Sequence, residues 1–305
     1  MTIKILLDTD IGNDIDDAIC LSHLLANPEC ELMGITTVTG GATVRASIAS
    51  ILCKVAGKKI PIYPGSETPL LAPAHQTNVL HEKSISRWDH DRSFPKGQAI
   101  YFMRDMIHAY PGKICLVTIG PLTNIALLFS LDPEIPKLLK GLFIMGGVFT
   151  NRIAGVGPLE WNIICDPHAS AVVYKHSVDL HRTVGLDVTC RLCMSKEKFH
   201  EYFKSEALRP VVDFAEHHFA HSDLVVFHDP LAAVAALNRN ICSFEKGHVD
   251  IELGSHRLSG LTHWTPDEKD GRHEVAMSVD TEEFFNYYFW RFRHSNGYLQ
   301  HLVLM

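Results

Sequence analysis

Five of the ten residues from position 8 to position 17 are aspartate: Asp8, Asp10, Asp14, Asp16 and Asp17. Carboxylates this close repel one another when ionised, so the segment needs solvent, protons or a cation. A solvated acidic turn at the start of a helix accounts for one or two of them, because Asp suits N-caps and first turns. It leaves Asp8 and Asp10 unexplained, since both sit at the end of the short apolar strand-like run at residues 4–7. Alternation along a strand directs Asp8 and Asp10 to one face. A divalent cation would offset the repulsion, and an all-oxygen ligand set selects a hard ion, Ca²⁺ or Mg²⁺, over zinc. An Asp-x-Asp pair at a strand end also suits a Mg²⁺ phosphatase with an aspartyl nucleophile. The spacing by itself leaves both chemistries open.

Other polar candidates lie further along. Glu160 and Asn162 are two apart in a loop and can present polar groups to one ligand. His228-Asp229 precedes a helical run, where Asp229 by itself would be an N-cap. His228 is one of 19 histidines, so its type alone says little. His217, His218 and His221 read as a polar helix face near a site entrance. Cys190-Arg-Leu-Cys193 has a CxxC spacing without a second Cys or His pair, and the eight cysteines read as reduced thiols, most of them in the core.

These residues need a scaffold that brings distant segments together. The chain alternates: strand 4–7, helix 17–26, strand 30–38, helix 44–56, strand 59–63. After a long loop at 66–95 that is placed to cap a site, the pattern resumes with helix 96–109, strand 114–119, helix 122–131 and strand 142–145. A second long loop at 149–165 leads to helix 167–175, strand 180–186, a helical stretch at 195–222 and helix 230–237. Strands 248–253 and 274–279 and helix 281–292 close the chain. This predicts an α/β fold: one domain over residues 1–305, with an open, mostly parallel sheet covered by helices on both faces. In such sheets ligands gather at the carboxyl ends of the strands, where Asp8 and Asp10 fall. The net charge of −7 and the lack of a basic stripe argue against a nucleic-acid partner. With no long apolar run for a membrane span and no signal-peptide pattern, a cytoplasmic protein is expected.

Asp8-Thr-Asp-Ile-Gly-Asn-Asp-Ile-Asp-Asp-Ala18 resembles the N-terminal signature of the inosine–uridine-preferring nucleoside hydrolases, aligned by its Asp16-Asp17-Ala18 end. Six further segments are similar to that family and lie in family order. They are Gly34 to Gly40, Val117 to Ala126 with its Gly-Pro-Leu-Thr-Asn, Ile144-Met-Gly-Gly147, Glu160 to Pro167, His228-Asp229 and Val279-Asp280. The resemblance implies a Ca²⁺-dependent hydrolase that cuts ribonucleosides into ribose and free base. It implies that Asp10, Asp17, Asp229 and the backbone carbonyl of Ile119 bind Ca²⁺, with Asp10 as general base toward the attacking water. Asp16, Asn162 and Glu160 would hold ribose hydroxyls, His81 and Met145 would also contact the substrate, and Asp8 would support the ligands from behind. His228 would protonate the leaving base, with a pKa near 6.5 suited to neutral pH. A homodimer or homotetramer is the implied assembly. Gly41 stands where many members carry Asn, and the loop at Asn78-Val-Leu-His81 lacks the usual glycine after its histidine. A Ca²⁺-dependent ribose or nucleoside sensor without turnover is the non-enzymatic alternative.

Overall fold

In a computed structural model that describes residues 2–150 and 153–293, the predicted alternation of strands and helices is present. The first half runs β1 (Ile3–Thr9), α1 (Asp16–Ala26), β2 (Cys30–Thr37), α2 (Ala42–Val55), β3 (Ile62–Pro64), α3 (Glu82–Ile85) and α4 (Ala99–Ala109). Then come β4 (Ile114–Thr118), α5 (Thr123–Leu131), α6 (Ile135–Leu138), β5 (Gly141–Met145), α7 (Trp161–Cys165) and α8 (Pro167–Lys175). The last third holds β6 (His181–Val184), α9 (Leu186–Thr189), β7 (Cys193–Ser195), α10 (Lys196–Tyr202), α11 (Arg209–Phe219) and β8 (Leu224–Val226). It ends with α12 (His228–Leu237), β9 (Cys242–Ile251), β10 (Thr262–Pro266), β11 (His273–Val279) and α13 (Thr281–Arg293).

Nine strands form one sheet in the order β10-β9-β11-β6-β5-β4-β1-β2-β3. Every neighbouring pair from β3 across to β11 is parallel, and β9 and β10 extend that edge antiparallel. Strand alternation splits the core in two. Ile5 and Leu7 of β1 pack with α1, α2, α12 and α13 on one face, and Leu6 packs with α4, α5 and α8 on the other. Burial on both faces explains why the central strands read as near-continuous apolar runs. The chain winds from β1 outward to β2 and β3, then returns to place β4 on the other side of β1. Loops leaving β1 and β4 therefore diverge and open a crevice at the carboxyl end of the sheet. Among the described residues no helix is long and apolar enough to cross a membrane.

Several expectations change in detail. The stretch 149–165, expected as loop, contains α7, whose start is capped by Glu160 accepting the amides of Asn162 and Ile163. Five residues are too few to show a helical period. The stretch 195–222 divides into α10 and α11, with Pro210 in the first turn of α11. β7 and β8 pair as a separate two-stranded sheet, and each has only three residues. β10 is an edge strand whose side chains are mostly exposed, so it carries no apolar alternation.

Candidate active site

The crevice forms a cavity of about 670 Å³. β1 ends at Thr9 and delivers Asp10 to the cavity, while the first turn of α1 presents Asp16 and Asp17. Asp229 enters from the first turn of α12, Ile119 follows β4 directly, and Met145 ends β5. Carboxylate oxygens of Asp16, Asp17 and Asp229 lie within 4.8 Å of one another. Burial, reinforced by mutual repulsion, raises all three well above the ordinary carboxylate range. Burial also pushes Asp10 up to about 6, against the nearby Arg45 charge. Buried oxygen donors that repel one another are the set a hard divalent ion requires, so the cluster is compatible with a metal site. The close triad includes Asp16, assigned from sequence to the sugar. Asp10 stands beside it, its charge raising all three members.

The supports of this cluster come from three directions. Thr9 donates its hydroxyl to Asp17 Oδ1. Arg45 of α2 is fully buried and donates to the carbonyls of Asp10, Ile11 and Gly40. Asp8 does not line the cavity. Its Oδ1 accepts from Thr36 Oγ1 and, at 2.8 Å, from Asn124 Nδ2, and burial pushes its pKa up to about 7. The expected shared face of Asp8 and Asp10 is not used, because the chain leaves the strand after Thr9. The two carboxylates therefore do not meet one ligand, which removes the geometry the phosphatase alternative needs.

Glu160 and Asn162 both line the cavity and are both buried. Besides capping α7, Glu160 accepts the amide of Gly147 at 3.0 Å. Asn162 Nδ2 donates to the carbonyls of Ile119 at 3.1 Å and Met145 at 3.3 Å, tying the ends of β4 and β5 together. Across the cavity, His228 Nδ1 is 2.8 Å from the hydroxyl of Thr189, at the end of α9. Burial pushes His228 down to about 4, opposed by Asp14. The pKa near 6.5 expected from sequence is thereby corrected: in this cavity the ring is neutral at pH 7. A Thr189 hydroxyl that donates to Nδ1 leaves the ring hydrogen on Nε2.

His217, His218 and His221 line the rim, and Asp14 pairs with His218 Nδ1 at 3.2 Å. Burial opposes ionisation of Asp14, yet the hydrogen bonds from His218 and the Ile15 amide outweigh it and lower its pKa. His81 is not brought to the cavity. Its ring is fully buried and stacks on Phe214 with centroids 5.2 Å apart, and burial pushes it down to about 3. The expected substrate contact from His81 is thus not made in this geometry, because its loop folds the ring against α11.

A buried acidic cluster, a polar pair on α7 and a histidine on α12 meet at one sheet end, in the order the motifs predicted. The family model for the inosine-uridine preferring nucleoside hydrolases matches residues 5–286. The chain belongs to this family. Family members of this kind hydrolyse the N-glycosidic bond of ribonucleosides, and the chain is a hydrolase of that class. It is 30% identical to uridine nucleosidase 1 of Arabidopsis thaliana, over 93% of this chain and 91% of the relative. It is 31% identical to the non-specific ribonucleoside hydrolase RihC of Escherichia coli, over 93% and 96%. Among solved structures, an inosine-guanosine nucleoside hydrolase superposes with a TM-score of 0.82 at 23% identity, covering 96% of this chain and 99% of that one.

Within this nucleoside hydrolase several motif residues prove to be clamps. Asn124 holds Asp8, the Thr37 carbonyl and the Ser66 amide, and Asp166 accepts from Thr123 and the Leu70 amide while capping α8. Arg45, Gln76 and Thr189 touch the site or its residues and were not found from sequence, since none belongs to a spaced polar pattern. Thr9, lying between Asp8 and Asp10, carried a local signal. All eight cysteines are free, and burial raises both thiols of the CxxC segment, as suits unreactive thiols.

Proposed function

We propose that the protein cleaves ribonucleosides with Ca²⁺ held by Asp10, Asp17, Asp229 and the carbonyl of Ile119. The observation that carries this reading is the meeting of Asp16, Asp17 and Asp229 within 4.8 Å in a cavity also lined by Ile119, Glu160, Asn162 and His228. A donor set made only of carboxylate and carbonyl oxygens suits Ca²⁺, which accepts irregular oxygen cages, better than Mg²⁺. Bound there, the cation supplies Lewis acidity that lowers the pKa of water. Asp10 accepts the proton of the attacking water on its carboxylate as general base. Asp16, Glu160 and Asn162 bind the ribose hydroxyls and hold the sugar in reactive geometry. Glu160 already accepts three backbone N–H bonds, and a carboxylate has room for about one more, which a hydroxyl can fill. Met145 packs against the bound sugar at the end of β5.

His228 donates from Nε2 to the departing base. A neutral ring serves this role as a hydrogen-bond donor, so the base is stabilised as it leaves without a prior imidazolium. The acid lives in a dry environment, which strengthens that bond.

The test is incubation with inosine, uridine and p-nitrophenyl riboside, with and without a chelator, for wild type and Asp10→Ala. Ribose release that the chelator stops and the variant lacks is the expected result. Wild-type turnover by a folded Asp10→Ala protein would show the mechanism to be wrong, and tight nucleoside binding without products would favour the sensor.

A further inference from the structure

One residue of the 66–95 loop reaches into the acidic cluster. Gln76 lines the cavity and is only 7% exposed. Its side chain meets two partners of opposite character. The Trp161 indole, a donor only, gives its Nε1–H to Gln76 Oε1 at 3.1 Å. The Asp10 carboxylate, an acceptor only when ionised, takes a hydrogen bond from the Gln76 side chain. A carboxamide offers an acceptor to the first and a donor to the second from one planar end.

The backbone is shaped to bring it there. β2 leads into Thr39-Gly40-Gly41, with Thr39 at φ 68° and Gly41 at φ 76°, in the left-handed region that a β-branched residue rarely adopts. A Cβ on Gly40 would stand 2.4 Å from the Gln76 carbonyl oxygen and 2.9 Å from Thr77 Cα. One on Gly41 would stand 2.7 Å from Val79 Cγ2. The bare glycine pair lets segment 76–79 lie directly on the strand end. A side chain at position 40 would push it off the backbone that carries Gln76.

We propose that Gln76 is a positioning residue for hydrolysis, fixing the orientation of the Asp10 carboxylate and tying it to Trp161 at the cavity wall. This rests on Asp10 acting as general base and metal ligand. Gln76→Glu keeps length, packing and the acceptor for Trp161, but replaces the donor to Asp10 by a second carboxylate. Gln76→Ala removes both bonds.

The full-length variants are compared with wild type by kcat and KM on a hydrolysed nucleoside, by calorimetric titration with CaCl₂, and by thermal melting. Partners that orient metal ligands are typically worth 10–100-fold in metal affinity or activity, so Gln76→Ala is expected to lose about that factor in kcat. KM is expected to stay within about 3-fold, since an interaction made at the reacting centre acts on kcat. Gln76→Glu is expected to lose as much while melting like wild type. Both variants keeping kcat and Ca²⁺ affinity within about 3-fold of wild type would overturn the proposal, since that is well below the expected factor. A rise in KM alone would overturn it too, assigning Gln76 to substrate binding. If wild type turns over no nucleoside, the reading of Asp10 as base fails, and the titration still decides on Gln76. Weaker Ca²⁺ binding by Gln76→Ala supports the tie to Asp10, and unchanged binding refutes it.

Discussion

Replacing Arg45 by methionine should be among the most damaging single changes outside the cavity lining. The guanidinium is fully buried and donates to the carbonyls of Asp10, Ile11 and Gly40, which form the turns beneath the acids. Its charge also favours the ionised forms of Asp10 and Asp17. Methionine keeps an unbranched stem of similar reach and removes every donor. A hydrogen bond involving a charged group nets about 1.5–3 kcal/mol, so three of them set a generous upper bound. Two effects reduce it: the desolvation cost of the guanidinium is returned, and Nη2 has no partner to lose. Removing one member of a buried ionic group costs about 3–5 kcal/mol, and that is the expected loss. From an unfolding entropy of about 2.1 cal/mol/K per residue, a chain of this length should melt about 5–8 °C lower. Urea unfolding at pH 7 in chelator, with thermal melting alongside, measures both quantities. A loss below about 1 kcal/mol, the worth of one ordinary hydrogen bond, would refute the view that Arg45 holds these turns.

Thr189→Val keeps the shape of the residue but frees His228 Nδ1. The kcat/KM for inosine or uridine should fall by at least about tenfold, within the usual range for general acid catalysis, while p-nitrophenyl riboside, whose leaving group needs no proton, is spared. Equal losses on both substrates would mean that Thr189 does not act through His228. His23 is fully buried and pushed down to about 3 by burial and then by Arg291. Its folded pKa lies below the unfolded one near 6.5, so the folded chain binds fewer protons. Its stability contribution is complete above pH 6.5 and lost as pH falls toward 3, amounting to about 2 kcal/mol by pH 5. His23→Gln should flatten that part of the stability–pH curve, and an unchanged slope would reject the assignment. Saturating Ca²⁺, at about 100 times its Kd, should raise stability by about 2.7 kcal/mol over chelated protein, and no calcium-dependent shift in melting would contradict the proposed ligand set.

The fold was legible where burial imposes a pattern. β1, β2, β4 and β5 are buried on both faces, so their composition stands out along the chain, and the helices between them follow from apolar spacing. The short elements were not legible. α7 is set by the Glu160 cap rather than by a period, and β7, β8 and β10 are defined by pairing partners distant in sequence. His81 shows the same limit at the site. Its position in a motif suggested a ligand contact, but its ring direction depends on how the loop packs on Phe214.

For the aspartate cluster, the chain order alone determined that too many carboxylates fall at one strand end to be left without a counter-charge. The downstream motifs determined which family of reactions could use them. Tertiary structure decided how the acids divide. It sealed Asp8 beneath Thr36 and Asn124, gathered Asp16, Asp17 and Asp229, and gave Asp14 a partner in His218. It also supplied Arg45, Gln76 and Thr189 from three separate segments. The reason is physical: composition and spacing report whether charge must be compensated, whereas the compensating group is chosen by proximity in three dimensions, and proximity between residues far apart in sequence exists only once the chain has folded.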